Sequence, residues 1–596
     1  MNIYVRGRPA QAGQLILSCS LAVLLVLCAC SPAIAQQFNL NNSDILTTPR
    51  QLDQFDKNRP QKTDDLIPKK DEDDSKPEVN TSDVESSTEA GDKDEGPKFM
   101  LQEIVINGVT VLTAEELTEK FAPWIGKEVT FNDLLKIAGD ITTIYKEKGY
   151  ITSRAVVPPQ KVENGAVQII VQEGRIGKIN LEGNKFTRDR FILGRVDLKE
   201  GDVFRLEALE KDMVRLNDQG VIDRAHATLK RGEEPGTSDI GLEVTDHRPY
   251  HLNLSFDNQG RDAVGLYRTS ISASHENFLG VGDSIAGNVV LASRTTAVSG
   301  QYRYPLTRSG KWGVSGSYLF SKVKIRDEIE SFDANGRKTL LEITGKTQRF
   351  GVVTDFPILE TDDGRWKLTG DTGLYWTDSM VYLNGVEIKH FQKAGSGQKP
   401  SFPVVNTISS GLNLNEQDKT GRTVVRAGMT NGIGWMNGNT AFAKWNLDAT
   451  RIQGGLPYGL LAVGKAQTQF STGRLPGIEQ MQIGGANSVR GYTEGLLSGD
   501  VGYLFSGELR VPLHGMPEKI KKNWVGLLFV DHGAVYIAGN DTARGATGKP
   551  GYLTSYGVGI RGQINQYLQA QSDMGFVWQY ERRSVRAHFK ISSQLF

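Results

Sequence analysis

The stretch 251-HLNLSF-256 puts Leu252, Leu254 and Phe256 on one side of an extended chain and His251, Asn253 and Ser255 on the other. Side chains of a strand alternate between its faces, so this run reads as a strand with one apolar and one polar face. The pattern returns near the far end, where Val585, Ala587, Phe589 and Ile591 take every second position. About sixteen such runs lie between residues 250 and 596. An even number is what closed bacterial outer-membrane barrels require. Long connections, near 324–343, 378–402, 472–500 and 537–551, follow odd-numbered runs, and those after even-numbered runs are mostly short. Long loops at one rim and short turns at the other suit a barrel whose N-terminus lies in the periplasm. A soluble sandwich or propeller has no reason to keep that asymmetry. The chain ends on Phe596, an aromatic terminus common in this class. The expected fold is a membrane β-barrel of about 16 antiparallel strands over residues 248–596.

Before residue 248 the period changes. In 130-TFNDLLKIAGDITTIYKEKG-149, Leu134, Ala138, Ile141 and Tyr145 share one helix face. Thr130 and Asp133 form a capping-box pair, and Gly149 sits where a left-handed cap is wanted. A β-run at 101–112 precedes this helix, and the runs 151-ITSRAVVP-158 and 166-AVQIIVQEG-174 follow it. The order then repeats. A strand at 175–184 leads to a stripe of Leu206, Leu209, Met213 and Leu216, and to two strands at 221–230 and 238–246. Gly149 and Gly220 stand about 71 residues apart. Two β-α-α-β-β units, 99–174 and 175–247, are expected, each a small sheet with helices on one face. Their stripes read as core. An exposed sheet edge is where such a unit would take a strand from an unfolded client.

The N-terminus sets the compartment. Arg6 and Arg8 precede the apolar run 15-LILSCSLAVLLVLCAC-30 and the small residues 33-AIA-35. This reads as a secretory signal peptide, residues 1–35, cleaved after Ala35. The alternative is the lipobox Leu27-Cys28-Ala29-Cys30, with Cys30 lipidated. All three cysteines lie in this leader, so the mature chain carries no disulfide. Residues 36–98 read as an unfolded acidic linker. From Asp64 to Glu95 there are 13 acidic residues against four lysines. Such a segment buries too little apolar surface to offset its chain entropy. Its patch 44-DILTTPRQLDQF-55 is a candidate plug helix. After residue 35 no run of 18 apolar residues exists, so a transmembrane helix is excluded there. Zero formal net charge gives no support for nucleic acid as a partner.

The loop 484-GGANSVRGYTEG-495 falls between the eleventh and twelfth strands. By itself it fits a phosphate site, a ligand clamp or a plain turn. Its neighbours narrow the choice. They are 475-LPGIEQMQIGGANSVRGYTEGLLSGDVG-502, 507-GELRVPL-513, 526-GLLFVDHGAVY-536, 280-GVGD-283 and 302-YRYPL-306. With these motifs the chain, from about residue 100 onward, resembles the outer-membrane transporters of two-partner secretion, the TpsB class of hemolysin-activator type. The resemblance implies that the two repeats are polypeptide-transport-associated (POTRA) domains. It also implies that Val489, Arg490, Gly491 and Tyr492 fold back into the lumen. There Arg490 would pair with Asp531 of the F-x-D-x-G strand, in which Phe529 and Gly533 are the other two motif residues. An arginine in such a site needs a carboxylate, and its planar fork suits bidentate pairing.

The other signals are weaker. The literal G-x-G-x-x-G at 557-GVGIRG-562 lies in a strand with no βαβ unit around it and reads as barrel glycine. His532 is expected to face lipid or an interface, by alternation from Asp531. The eight histidines show no metal spacing, and no hydrolase or P-loop motif appears. No cofactor, metal or catalytic residue is therefore expected. The expected partners are a large β-helical secreted polypeptide, outer-membrane lipid and the machinery that inserts barrels. The alternatives are a barrel-assembly factor of the same superfamily, which usually carries three to five POTRA repeats, and a passive porin, which has none.

Overall fold

The computed structural model describes residues 79–80, 97–261, 264–332, 338–361, 363–383, 386–387, 404–434, 441–513, 516–517, 523–538, 551–578 and 584–595. The leader with Cys30, the candidate plug helix at 44–55 and Phe596 lie outside these residues.

Sixteen long antiparallel strands close into a barrel. They run from strand 1, Tyr250–Asp257, to strand 16, Val585–Gln594, which pair with each other through Asn253↔Gln594 to Asp257↔Lys590. Strands 2 to 10 are Arg268–His275, Ser284–Ala292, Thr295–Pro305, Gly313–Phe332, Lys338–Glu360, Trp366–Leu383, Val405–Gln417, Gly421–Ile433 and Phe442–Gln453. Strands 11 to 15 are Leu461–Ser471, Val501–Pro512, Trp524–Tyr536, Gly551–Asn565 and Leu568–Val577. Alternation decides what each face carries. Leu254, Phe256, Phe350, Leu374, Leu412, Leu528 and Val530 point outward and are exposed. Ser315, Thr347, Lys444, Gln469, Asp531, Ser555, Asp573 and His588 are buried inside. An apolar outside around a polar inside is the arrangement that a hydrocarbon solvent demands. Among the described residues no helix is long and apolar enough to cross a membrane.

One expectation fails. The connection placed near 324–343 is mostly strand, because strands 5 and 6 stay paired out to Phe332↔Lys338. The sequence there is rich in charge and reads as loop. Strands of 20 and 23 residues rise about 3.3 Å per residue, far more than an apolar band of about 25 Å needs. Beyond the band, backbone pairing continues where no apolar face is required, so alternation gives no signal.

The first N-terminal unit has a sheet of Glu103–Asn107, Ala166–Gln172 and Arg154–Val156. Helix Phe131–Glu147 packs on it. Its capping box is Thr130 with Asp133, and Gly149 follows at φ 87°. Leu134, Ile137, Ile141 and Tyr145 bury against Val167, Ile169 and Val171. The second unit repeats this with strands Arg175–Glu182, Ile222–Arg231 and Thr237–Asp246 and helix Leu206–Asn217. Leu209, Met213 and Leu216 are fully buried there. The edge strand Ile222–Arg231 also receives Val79–Asn80, in parallel pairing with Ala227 and Thr228. Two residues of the stretch expected to be unfolded thus lie on a sheet edge.

Two periplasmic turns seat the second unit on the barrel. In the first, the Arg188 amide donates to Gly280 O at 3.0 Å, and Asn277 Nδ2 donates to Thr187 Oγ1 at 2.9 Å. Gly280 and Gly282 of the GVGD motif take φ of 74° and 75°, and the ring of Phe191 lies against Gly282. Asp246 closes the joint by accepting the amides of Lys185 (3.0 Å), Phe186 and Thr187 (both 2.7 Å). In the second turn, Arg308 reaches Gly194 O and Asp197, and Lys311 Nζ lies 3.0 Å from Asp218.

Candidate functional site in the barrel lumen

The loop between strands 11 and 12 turns inward and lies against the wall. Its stem is a short hairpin, Met481–Ile483 with Leu497–Gly499. Buried Asp500 fastens the stem. One carboxylate oxygen accepts from the Leu475 amide and Gln480 Nε2, both at 2.9 Å, and the other from the Ala538 amide at 2.8 Å. On strand 10, Lys444 pairs with Glu479 at 2.5 Å. The Gly495 amide donates to Gly484 O at 2.9 Å and closes the tip as a lasso.

Arg490 leaves the lasso for the wall and is 3% exposed. Its Nε lies 2.7 Å from Asp531 Oδ2 and its Nη2 2.8 Å from Asp531 Oδ1, a two-pronged pair. Its backbone amide donates to the same carboxylate at 3.1 Å. Nη1 reaches Glu508 Oε1 on strand 12 at 2.7 Å, and the guanidinium sits 3.6 Å over the ring of Phe529. Ser506 Oγ donates to Asp531 Oδ1 at 2.6 Å. Asp573 on strand 15 stands 3.9 Å from Nη1 and is itself paired with Arg561. One cation thus meets carboxylates from strands 12, 13 and 15 in a space that water hardly enters. Breaking such a pair from one side costs about 3–5 kcal/mol, because the remaining charge stays buried.

The other motif residues shape the seat. Val489, fully buried, and Tyr492 join Ile483, Leu504, Val535, Leu553 and Val577 in an apolar cluster beside the charges. The Tyr492 hydroxyl donates to Thr554 O at 3.1 Å. Gly491 takes φ 93° and lies flat on Gly575 of strand 15, where a Cβ would come within 3.0 Å of backbone. Only glycine combines that dihedral with that approach. Gly533 leaves room for Leu504 and Ile483. The structure therefore brings Val489, Arg490, Gly491, Tyr492, Phe529, Asp531 and Gly533 to one place. His532 points away, its ring nitrogens 3.2 Å from Tyr503 Oη and 2.7 Å from Thr554 Oγ1.

Sequence reasoning missed Glu508, Ser506, Asp573 and Gly575. Glu508 lies within the GELRVPL motif, and inward parity with buried Leu504 would have pointed to it. Asp573 and Gly575 carry no local signal; only strand order brings them under the loop. Among the described residues no three His, Cys, Asp or Glu side chains are placed to hold a metal.

The family described as haemolysin secretion/activation protein ShlB/FhaC/HecB matches residues 236–562. A ShlB-type POTRA domain matches 99–174, and the surface antigen variable number repeat matches 175–245. The outer membrane transporter CdiB of Dickeya dadantii is 25% identical over 83% of this chain and 86% of its own length. The heme/hemopexin transporter protein HuxB of Haemophilus influenzae is 23% identical over 74% and 76%. The solved structure of CdiB from Acinetobacter baumannii shares the fold, with a TM-score of 0.57 at 19% identity over 94% of this chain and all of that one. The chain belongs to the haemolysin secretion/activation protein family ShlB/FhaC/HecB, the outer-membrane transporters of two-partner secretion.

Proposed function

We propose that the chain captures an unfolded, large β-helical partner polypeptide in the periplasm and passes it through its own barrel, with the Arg490 lasso as the gate. POTRA 1 (99–174) and POTRA 2 (175–247) offer sheet edges to the client, and backbone pairing there needs no particular client sequence. The client then enters the barrel on the periplasmic side. The lasso occupies the lumen at rest and must swing aside. The observation that carries this reading is the two-pronged Arg490–Asp531 pair, buried inside a barrel that otherwise has polar walls. A buried ion pair is weak evidence for stability but a good device for fixing one position out of several.

Other features support the same reading. The periplasm supplies no ATP, so folding of the client outside provides the directionality. The chain performs no chemistry on its cargo; it binds and conducts. Lipid surrounds the apolar outer face, and barrel-assembly machinery inserts it. The test is secretion in a strain that carries the partner. Arg490→Ala and Asp531→Ala abolish export while the barrel still inserts, as judged by heat-modifiable migration on gels. Normal export by both variants refutes the role given to the loop.

A further inference from the structure

The barrel closes where strand 16 meets strand 1, and among the described residues this seam is its shortest ladder. The paired positions run from Asn253↔Gln594 to Asp257↔Lys590, five against eight or more between every other two neighbouring wall strands. At the periplasmic end the Leu595 amide carries the pairing onto Leu252 O at 2.9 Å. At the other end strand 1 stops at Asp257, while strand 16 reaches back to Val585. Asp257 makes strand 1 turn there. It is fully buried, and its Oδ1 accepts the Gln259 amide at 2.8 Å and Arg268 Nε at 2.9 Å. An aspartate that bonds the backbone two residues on sets such a turn.

Asn258 continues the ladder with its side chain. Its backbone amide donates to Phe589 O at 3.3 Å, as the next rung would. The return bond of that rung goes to the side chain, where Asn258 Oδ1 accepts the Phe589 amide at 2.8 Å. Asn258 Nδ2 then donates to Ala587 O at 2.9 Å, two residues further along strand 16. A carboxamide offers the same donor and acceptor as a peptide group, so one side chain stands in for the strand that has left. On the outer face three rings cover the same place. Phe256 of strand 1 stacks on Tyr267, just before strand 2, with centroids 6.0 Å apart, and lies 5.9 Å from Phe589 of strand 16. A strand edge opened toward lipid would leave its backbone groups without partners, which is costly.

We propose that Asn258 clasps the closing seam and that the seam stays shut while the partner polypeptide passes, so that cargo leaves along the barrel axis. The proposal rests on the reading of the chain as a conduit. Asn258 is a positioning residue in it, acting through strand 16. A short backbone ladder frays first at its end, and the side-chain bonds and the packed rings sit at that end. A protein that hands other chains sideways into the membrane needs the opposite, a wall that parts toward lipid at low cost.

The test uses the full-length protein with Ser255→Cys and Ser592→Cys, two positions that oppose each other across the seam. Opposed residues of antiparallel strands have Cα atoms about 4.5–5.5 Å apart, within disulfide reach. The chain's own cysteines all lie at residues 19–30. In a strain that carries the partner, the oxidised pair exports at the parental level. Asn258→Ala raises the hydrogen-exchange rate of the strand 16 peptide 585–590 roughly tenfold, the effect of losing two hydrogen bonds. Adding the disulfide to that variant restores slow exchange. Heat-modifiable migration shows that each variant folds as a barrel. If oxidation stops export and reduction restores it, cargo uses the seam and the proposal is overturned. If Asn258→Ala exchanges like the parent, the clasp is overturned. A strain that lacks the chain and still exports the partner refutes the conduit reading itself, and the proposal falls with it.

Discussion

The two halves of the molecule bury opposite things. In the POTRA units the core is apolar: Ile137, Ile141, Ile169, Leu209 and Met213 are fully buried, and among the described residues only a few charged groups, such as Arg195, Asp212 and Asp246, are buried beside them. In the barrel Leu528 and Val530 face out, while Arg490, Asp531 and Asp573 are hidden. A water-solvated core is held by area removed from water, which is undirected and tolerates small shifts. A lumen lined with charge is held by pairs, which work in one geometry only. The first arrangement suits a scaffold that stays folded while it binds. The second suits a part that keeps one position and can leave it as a unit.

Each prediction presses on that difference. The largest effect is expected in the lumen. Asp531→Asn leaves Arg490 with a neutral partner and frees the lasso at a cost of about 3–5 kcal/mol. Export falls below detection, and the outer-membrane level of the protein is unchanged. In the scaffold, Ile141→Ala empties a fully buried site and destabilises POTRA 1 by about 2–5 kcal/mol. Limited proteolysis of the full-length protein then cuts within 99–174 and spares the barrel. If the barrel is cut as well, the two halves are not held by separate means.

A smaller effect is expected at Gly491. Alanine there must adopt a left-handed dihedral and push against Gly575, at a cost of about 1–3 kcal/mol. The loop stays in the lumen but loosens, and conductance noise rises without full opening. Smaller still is the pH response of the joint. Burial would raise the pKa of Asp246, but the amides of Lys185, Phe186 and Thr187 outweigh it and hold the carboxyl below the usual range. A depressed pKa means that its stabilising contribution is complete above the unfolded value of 3.8 and is lost as pH falls through the folded one. Protection of amides 185–187 against hydrogen exchange, taken relative to the intrinsic rate at each pH, is therefore flat from neutral pH down to about 5 and falls only as pH drops through the lowered carboxylate range. At the surface, Lys211→Ala breaks an exposed pair with Glu207 and leaves the POTRA 2 melting point unmoved.

The legible parts of the fold were those where one face is wet and the other is not. Leu254 and Phe256 against Ser255, or Leu528 and Val530 against Asp531, announce a barrel strand by parity alone. Leu134 through Tyr145 announce a helix by their spacing. Parity fell silent beyond the membrane band, so the paired extensions out to Phe332 and Lys338 read as loop. At the site, the glycine pattern and the lone arginine marked one half of the Arg490–Asp531 pair, and family likeness supplied the other. Parity with Leu504 could place Glu508 on the inner face but not against a cation, and Asp573 carried no local mark at all, because nothing local distinguishes an inward acid that faces a cation from one that faces water. Strands 12 and 15 lie on either side of the loop only once the barrel is closed.

The most direct measurement places a photo-crosslinking phenylalanine analogue at position 492, where the tyrosine hydroxyl meets the Thr554 carbonyl. Intact cells are irradiated with and without a partner polypeptide jammed in the barrel, and the crosslinked peptides are mapped by mass spectrometry. In the resting protein the probe joins strand 14 near residue 554, and the crosslink disappears when cargo fills the pore. A resting protein with no intrachain crosslink, or one whose crosslink persists unchanged under jammed cargo, contradicts the account of the lasso as a locked and movable gate.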